Sequence, residues 1–241
     1  MGQSACGTDR GIKRAVNEDA MLCIESLGFY MVADGVGGHN SGEIASKLAV
    51  DFARQYLEEN SPDLVSEDRL PDYIDSFLQW INAGIYEKSL EVKENSGMAT
   101  TAVMLMVREG KAFIINIGDS RAYIFRKGFL TKITEDHTYV NELFKQGQIS
   151  KAEAEKHPER NMITRALGSG EKVKPDIYPI SVNKGDRILL CTDGLYNELD
   201  ECGISAIMNK ETHVNMIVSE LIRLACDRGG RDNITVSCVE I

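Results

Sequence analysis

The sequence of 241 residues predicts an α+β fold in which antiparallel sheets are layered with helices. Strand-like runs come in consecutive pairs joined by short turns. Helical periods come in blocks and do not alternate with the strands. No internal repeat, low-complexity tract or long linker interrupts the order. Short turns make neighbouring strands antiparallel, and blocks of helix exclude a βαβ series. A two-sheet sandwich with helices outside satisfies that order, as one domain spanning 1–241.

Each element has its own signal. AMLCIESL and FYMVAD, joined around Gly28, read as the first strand pair. In SGEIASKLAVDFARQYLEEN, residues Ile44, Leu48, Phe52 and Tyr56 recur every four positions, an amphipathic helical period. LPDYIDSFLQWINAGIYEKSLEV repeats it with Ile74, Leu78, Ile81 and Ile85, and SPDLVSED between the two reads as a loop. TAVMLMV turns at Glu109-Gly110 into AFIINIGD, and RAYIFR turns at Lys127-Gly128 into FLTKIT. A polar excursion follows, from about Tyr139 to Arg165. IYPISV and DRILLCTD read as strands, HVNMIVSELIRLACDR as a helix stopped by Gly229-Gly230, and NITVSCVEI as the closing strand.

Composition narrows the function. The content is 43% hydrophobic and 27% charged, with a net charge of −10. An acidic chain is a poor partner for nucleic acid, which calls for a basic face. No apolar run reaches the roughly 18 residues of a membrane span. MGQSACGTDRGIKR has no apolar leader core, and Cys6 stands where a myristoylation signal carries Ser or Thr. The six cysteines form no CxxC pair and are expected to be free thiols in a reducing cytoplasm. Without heptads or a long exposed apolar stripe, a monomer is expected.

The aspartates carry the chemistry. Asp19 opens a strand and Asp34 closes its hairpin partner, so an antiparallel pair puts both at one edge. Thr101 and Asp119 bracket the next hairpin in the same way, while Asp193 ends RILLCTD and Asp232 opens the last strand. If the hairpins share an orientation, five carboxylates meet at one rim. Any single Asp-Gly after a strand is an ordinary turn; the coincidence of all five is what signals a site. Crowded carboxylates resist ionisation, and a multivalent cation removes that cost. Oxygen-only ligands favour Mg²⁺ or Mn²⁺, and no zinc spacing of His and Cys occurs. Two such ions can activate a water for in-line displacement at phosphorus, and the guanidinium of Arg14 suits phosphate oxygens.

These residues fall in RAVNEDA, MVADGVGGHNSGEIAS, GMATTAV, NIGDSRAY, EDHT, ITRALG, LLCTDGL and GGRDNITV. In that order and over nearly the whole chain, the eight motifs resemble the metal-dependent protein serine/threonine phosphatases of the type-2C class, in their bacterial form. The resemblance implies a central β-sandwich flanked by helices on both sides, with a binuclear centre at one end. It implies that Asp34 bridges two Mn²⁺ or Mg²⁺ ions, that the Gly35 carbonyl binds one, and that Asp193 and Asp232 bind the other. Glu18 and Asp19 would contact the ions partly through water. Asp119 with Asp193 would hold a weaker third ion, Arg14 would bind phosphate, and the 139–165 excursion would be a flap beside the site. Eukaryotic members carry a histidine directly after the Asp-Gly pair; Val36 stands there in this chain. His39, three residues on, is therefore a catalytic and substrate-binding candidate that would contact the phosphorylated side chain and not protonate the leaving group, with a metal-bound water as the alternative proton source and a supporting hydrogen bond as the plainer reading. His137 is read as structural. The expected activity is hydrolysis of phosphoserine and phosphothreonine on proteins, opposing a cognate Ser/Thr kinase in the cytoplasm. Two other readings use the same residues. A phosphoprotein-binding scaffold would have lost ligands that are all present here, and a two-metal nuclease conflicts with the acidic balance.

Overall fold

The computed structural model describes residues 2–37, 41–62, 65–108 and 110–241. Two antiparallel sheets lie face to face. The first runs in the order β1 (Ser4–Asp9), β11 (Ile234–Glu240), β10 (Arg187–Cys191), β7 (Arg121–Arg126), β8 (Phe129–Lys132). The second runs β2 (Asp19–Ile24), β3 (Phe29–Val36), β5 (Ala102–Arg108), β6 (Lys111–Ile117), β9 (Asp176–Ser181), with β4 (Ala99–Thr100) also paired to β3. Strand alternation builds three apolar layers. Tyr30, Val32, Val103 and Leu105 point inward and meet Ala122, Ile188 and Leu190 of the first sheet. Their neighbours Phe29, Met31, Met104 and Met106 point outward, onto α1 (Ser41–Glu59) and α2 (Leu70–Glu91). The outer face of the first sheet, with Tyr123, Leu189 and Val236, is covered by α6 (Glu201–Lys210) and α7 (Val214–Asp227). The result is the expected four layers, helix, sheet, sheet, helix. Because β3 is covered on both faces, its run is continuously apolar up to Asp34.

The predicted face of α2 is the buried one: Ile74, Leu78, Ile81 and Ile85 are all within the core. Phe77 joins them, edge-on to Phe29 at 5.7 Å between ring centres, a burial that contributes on the order of 2–3 kcal/mol per ring. In α1 the contact face is offset by one residue from the expected one. Ala45, Ala49, Ala53 and Leu57 face the sheet, Leu48, Phe52 and Tyr56 pack at its margin, and Ile44 is 37% exposed. Small side chains let this helix lie close to β3, and the larger residues fill the wedge toward α2.

Besides β4, three elements lie beyond the sequence expectations. β1 pairs along its length with β11, α5 (Asp193–Tyr196) is a single turn, and α6 follows it directly. The excursion carries α3 (Tyr139–Lys145) and α4 (Lys151–Lys156). Its two ends are tied by a bridge between Thr138 and Ile163, so it leaves and rejoins the body at one place. The expectation of six free thiols is corrected. Cys6 of β1 and Cys23 of β2 are joined, with Cα atoms 7.2 Å apart, while Cys191, Cys202, Cys226 and Cys238 are free. The bond links the two sheets. It was invisible in the sequence because β1 was not anticipated, and only the strand order brings the two residues face to face.

Candidate metal centre

The site lies at one end of the sandwich and draws on both sheets. In the second sheet Asp19 pairs directly with Asp34, as antiparallel pairing of their strands requires. Asp119 follows β6, Asp193 starts the turn after β10, and Asp232 precedes β11. The charges of the other four all reach Asp34, the centre of the group. Burial raises the Asp34 carboxyl well above the ordinary carboxylate range, and the charges of Asp19, Asp193, Asp119 and Asp232 push it further. Burial together with Asp193 and Asp232 lifts Asp19 to about 7, although two hydroxyl donors oppose the rise. Asp119 reaches about 7 by burial and the Asp193 charge, and Asp193 about 6 by burial and the Asp232 charge.

Backbone and hydroxyl groups fix these carboxylates. Asp19 Oδ2 accepts from Thr192 Oγ1 at 2.8 Å and Thr235 Oγ1 at 2.7 Å, both from the opposite sheet. The Asp34 N–H donates to Thr101 Oγ1 at 3.1 Å, and its carbonyl accepts from Thr100 Oγ1 at 2.9 Å. Thr101 Oγ1 lies 2.7 Å from Ser120 Oγ, so the Asp34 and Asp119 strand ends are joined. Tyr196 Oη donates to the Asp119 carbonyl at 3.0 Å, and its ring lies 3.5 Å beneath the Arg121 guanidinium. Asn197 Nδ2 donates to Asp193 Oδ2 at 2.9 Å. Asn233 Oδ1 accepts from the Glu18 N–H at 2.8 Å, and its Nδ2 reaches the Arg10 and Val16 carbonyls. Of these supports, only Thr101 stood out in the sequence. Thr192, Asn197, Asn233 and Thr235 occur near an aspartate in CTDGLYN and RDNIT, a pattern shared with ordinary turns, and Thr100, Ser120 and Tyr196 carry no signal of their own.

Do the residues suit divalent cations? Among the described residues, no three His, Cys, Asp or Glu side chains stand as a ready-made ion site. The donor set nevertheless fits hard cations. It is made of carboxylates that repel one another, and Asp19 Oδ1 is buried without a hydrogen-bond partner. A lone buried carboxylate oxygen is costly unless a cation or its water approaches. Gly35 has the close surroundings expected where a backbone carbonyl is brought to an ion. A Cβ there would stand 2.0 Å from the Gly42 carbonyl oxygen and 2.7 Å from that of Glu18. Arg14 supplies positive charge at the rim, donating to Asp232 Oδ2 at 2.7 Å and lying 3.8 Å from Glu18 Oε2. Burial is the main cause of an upward shift in the Glu18 carboxyl, with Arg14 opposing it. His39 lies outside the described residues. A cavity of about 810 Å³ opens beside Asp119 and Asp193, with Asn141, Phe144 and Arg160 of the excursion on one side and Glu201 and Cys202 on the other.

Comparison with known proteins gives this arrangement its family. The protein phosphatase 2C model matches residues 6–224. A serine/threonine phosphatase of Listeria monocytogenes is 36% identical over 236 residues, covering 97% of this chain and 93% of the relative. A crystal structure of a Staphylococcus aureus serine/threonine phosphatase superposes with a TM-score of 0.92 at 33% identity, over 100% of this chain and 95% of the other. The catalytic domain of the phosphatase PstP, solved with two manganese ions, superposes with a TM-score of 0.86 at 33% identity, over 99% of this chain and 97% of its own. The chain belongs to the protein phosphatase 2C family, as a metal-dependent serine/threonine protein phosphatase.

Proposed function

We propose that Asp34, the Gly35 carbonyl, Asp193 and Asp232 hold two divalent cations, Mn²⁺ or Mg²⁺, that Glu18 and Asp19 support them through water, and that Asp119 with Asp193 takes a weaker third ion. One observation carries the proposal: Asp19 pairs with Asp34 across their strands and is tied to Thr192 and Thr235 of the opposite sheet, and its Oδ1 is left without a partner amid carboxyls raised by desolvation and by one another. Cations held there would polarise the phosphate and lower the pKa of an attacking water for in-line displacement at phosphorus.

The chain's own residues supply positioning. Arg14 is the phosphate ligand. Its guanidinium is shared between Asp232 and Glu18 and stays close to half exposed, so it can turn two N–H groups to phosphate oxygens. Thr100 and Thr101 hold the Asp34 backbone against the repulsion of its neighbours. Thr192 and Thr235 restrict Asp19 to one orientation, with its free oxygen inside the cluster. His39 is assigned to the phosphorylated side chain. The whole chain is read as one catalytic domain, and the 139–165 excursion as a flap whose cavity receives the polypeptide around the phosphorylated residue.

The substrates proposed are phosphoserine and phosphothreonine proteins modified by a cognate Ser/Thr kinase, acted on by a monomer. Four unpaired cysteines, two of them buried, support a cytoplasmic setting, where the Cys6–Cys23 bond would be open to reduction. The decisive experiment is hydrolysis of a phosphothreonine peptide before and after exhaustive chelation. Activity lost on chelation and regained with Mn²⁺ is the expected result. Full activity in chelator would overturn the assignment.

A further inference from the structure

The mechanism leaves one buried histidine without a task. His137 is 5% exposed and sits directly before the 139–165 excursion. It faces Gly118, the residue before Asp119, and makes two bonds to it. The His137 N–H donates to the Gly118 carbonyl at 3.0 Å, and the Gly118 N–H donates to His137 Nδ1 at 3.0 Å. Because Nδ1 accepts, the neutral ring carries its proton on Nε2. That nitrogen lies 3.2 Å from Asp176 Oδ2, in β9, and donates to it. Arg165 Nη1, also 3.2 Å from Nε2, is a second donor and bonds Asp176 Oδ1 at 2.9 Å. One carboxylate therefore receives both the imidazole and the arginine at the far end of the excursion. The His137 carbonyl also accepts from the Thr164 N–H at 2.8 Å, beside that arginine.

The Gly118 peptide has little freedom. Its φ is +102°, and a Cβ would lie 2.6 Å from the Thr101 side chain. Asn116 Nδ2 adds a bond to its carbonyl at 3.2 Å, and Tyr196 holds the next carbonyl, that of Asp119. Each of these holds bears on a carbonyl or on the backbone turn. The imidazole acts on the Gly118 N–H, which belongs to the Ile117–Gly118 peptide, while the His137 main chain holds the carbonyl of the Gly118–Asp119 peptide; together they clamp both sides of Gly118 and fix the turn from which Asp119 departs.

We propose that His137 is a positioning residue of the metal centre: its imidazole holds the Gly118 N–H, and with it the turn at Gly118 that sets the direction of the Asp119 carboxylate, from the Arg165–Asp176 pair at the root of the excursion. The consequence for metal binding rests on the reading of Asp119 as ligand to the weaker third ion; the peptide restraint does not.

The test uses the full chain and the variants H137A, H137N and H137Q. An asparagine amide oxygen overlies the position of Nδ1 and can accept from Gly118, whereas a glutamine amide reaches the position of Nε2 and serves Asp176. In H137A, exchange of the Gly118 amide should rise, and Mn²⁺ affinity at the weakest site should fall, by about tenfold each, the loss of one buried hydrogen bond. Two tight sites by calorimetry and an unchanged KM for p-nitrophenyl phosphate should accompany it. H137N should restore both quantities and H137Q neither. Equal behaviour of H137N and H137Q, or unchanged exchange in H137A, would overturn the proposal. If H137A does not fold, the contrast between H137N and H137Q decides. If the parent protein binds only two ions, the assignment of Asp119 fails, and the exchange contrast alone judges His137.

Discussion

Removal of divalent cations should turn the site into a source of instability that grows as pH rises. At pH 5 to 8 the carboxylates of an unfolded chain are ionised, with a reference near 3.8 for aspartate. In the folded, cation-free chain Asp19 and Asp119 keep their protons up to about pH 7. The native state therefore binds more protons, and the stability slope with pH is negative in this window. One carboxyl with a pKa of about 7 contributes about 1.4 kcal/mol per pH unit between pH 5 and 7, about 3 kcal/mol in all. Both residues retain some contact with solvent at the rim, which screens the effect. Loss of on the order of 2 kcal/mol per group is the expectation, and the two share part of their repulsion. For a chain of this size each kcal/mol moves the melting temperature by about 2–4 °C, so chelated protein should melt roughly 5–10 °C lower at pH 8 than at pH 5. The His137 imidazole, lowered chiefly by burial, has the opposite slope but acts only below about pH 6.5. Scanning calorimetry in chelator, then in saturating Mn²⁺, measures both curves, and Mn²⁺ should stabilise most at the alkaline end. A chelated protein whose melting temperature is flat or climbs from pH 6.5 to 8 would refute the reasoning.

Other substitutions test separate parts of the site. Asp34→Asn should lower kcat on a phosphopeptide by at least about 100-fold, more than His39→Ala, because it weakens a ligand shared by two ions; comparable losses in steady-state assays would reverse that ranking. Asp119→Asn should leave two tight sites in a calorimetric metal count and weaken a third, and loss of a tight site would contradict the assignment. Gly35→Ala drives a methyl group into the Gly42 and Glu18 backbone, and should cost about 3 kcal/mol or more in urea unfolding. Denatured, unreduced protein should titrate four free thiols, rising to six after reduction; six at the outset would mean that Cys6 and Cys23 are not bonded.

What could be read in advance follows from distance along the chain. Strand pairs joined by short turns announce their own partners, so Asp19 beside Asp34 was predictable from pairing alone. The period of α2 was equally plain, since large residues recur at every third or fourth position and are buried. α1 misled because its contact residues are alanines, whose patterning is faint beside Ile44 and Phe52. β1 was missed because SACGTD has no apolar alternation; its partner β11, more than 200 residues away, makes it a strand. The supports of the site were hidden for the same reason. Thr192 and Thr235 reach Asp19 across the two sheets, and such contacts leave no trace in a local window.

The acidic cluster takes Asp19 and Asp34 from one sheet and Asp193 and Asp232 from the ends of the other. The apolar filling between the sheets therefore acts as a spacer for the ligands. A larger side chain at Val103 or a smaller one at Leu190 would widen or thin that filling and shift one half of the cluster against the other. Ion preference would then be tunable from the interior, with every ligand untouched. The ratio of Mn²⁺ to Mg²⁺ affinity in Val103→Ile and Leu190→Val would reveal it, and identical ratios would mean that the strand ends adjust independently of the packing behind them.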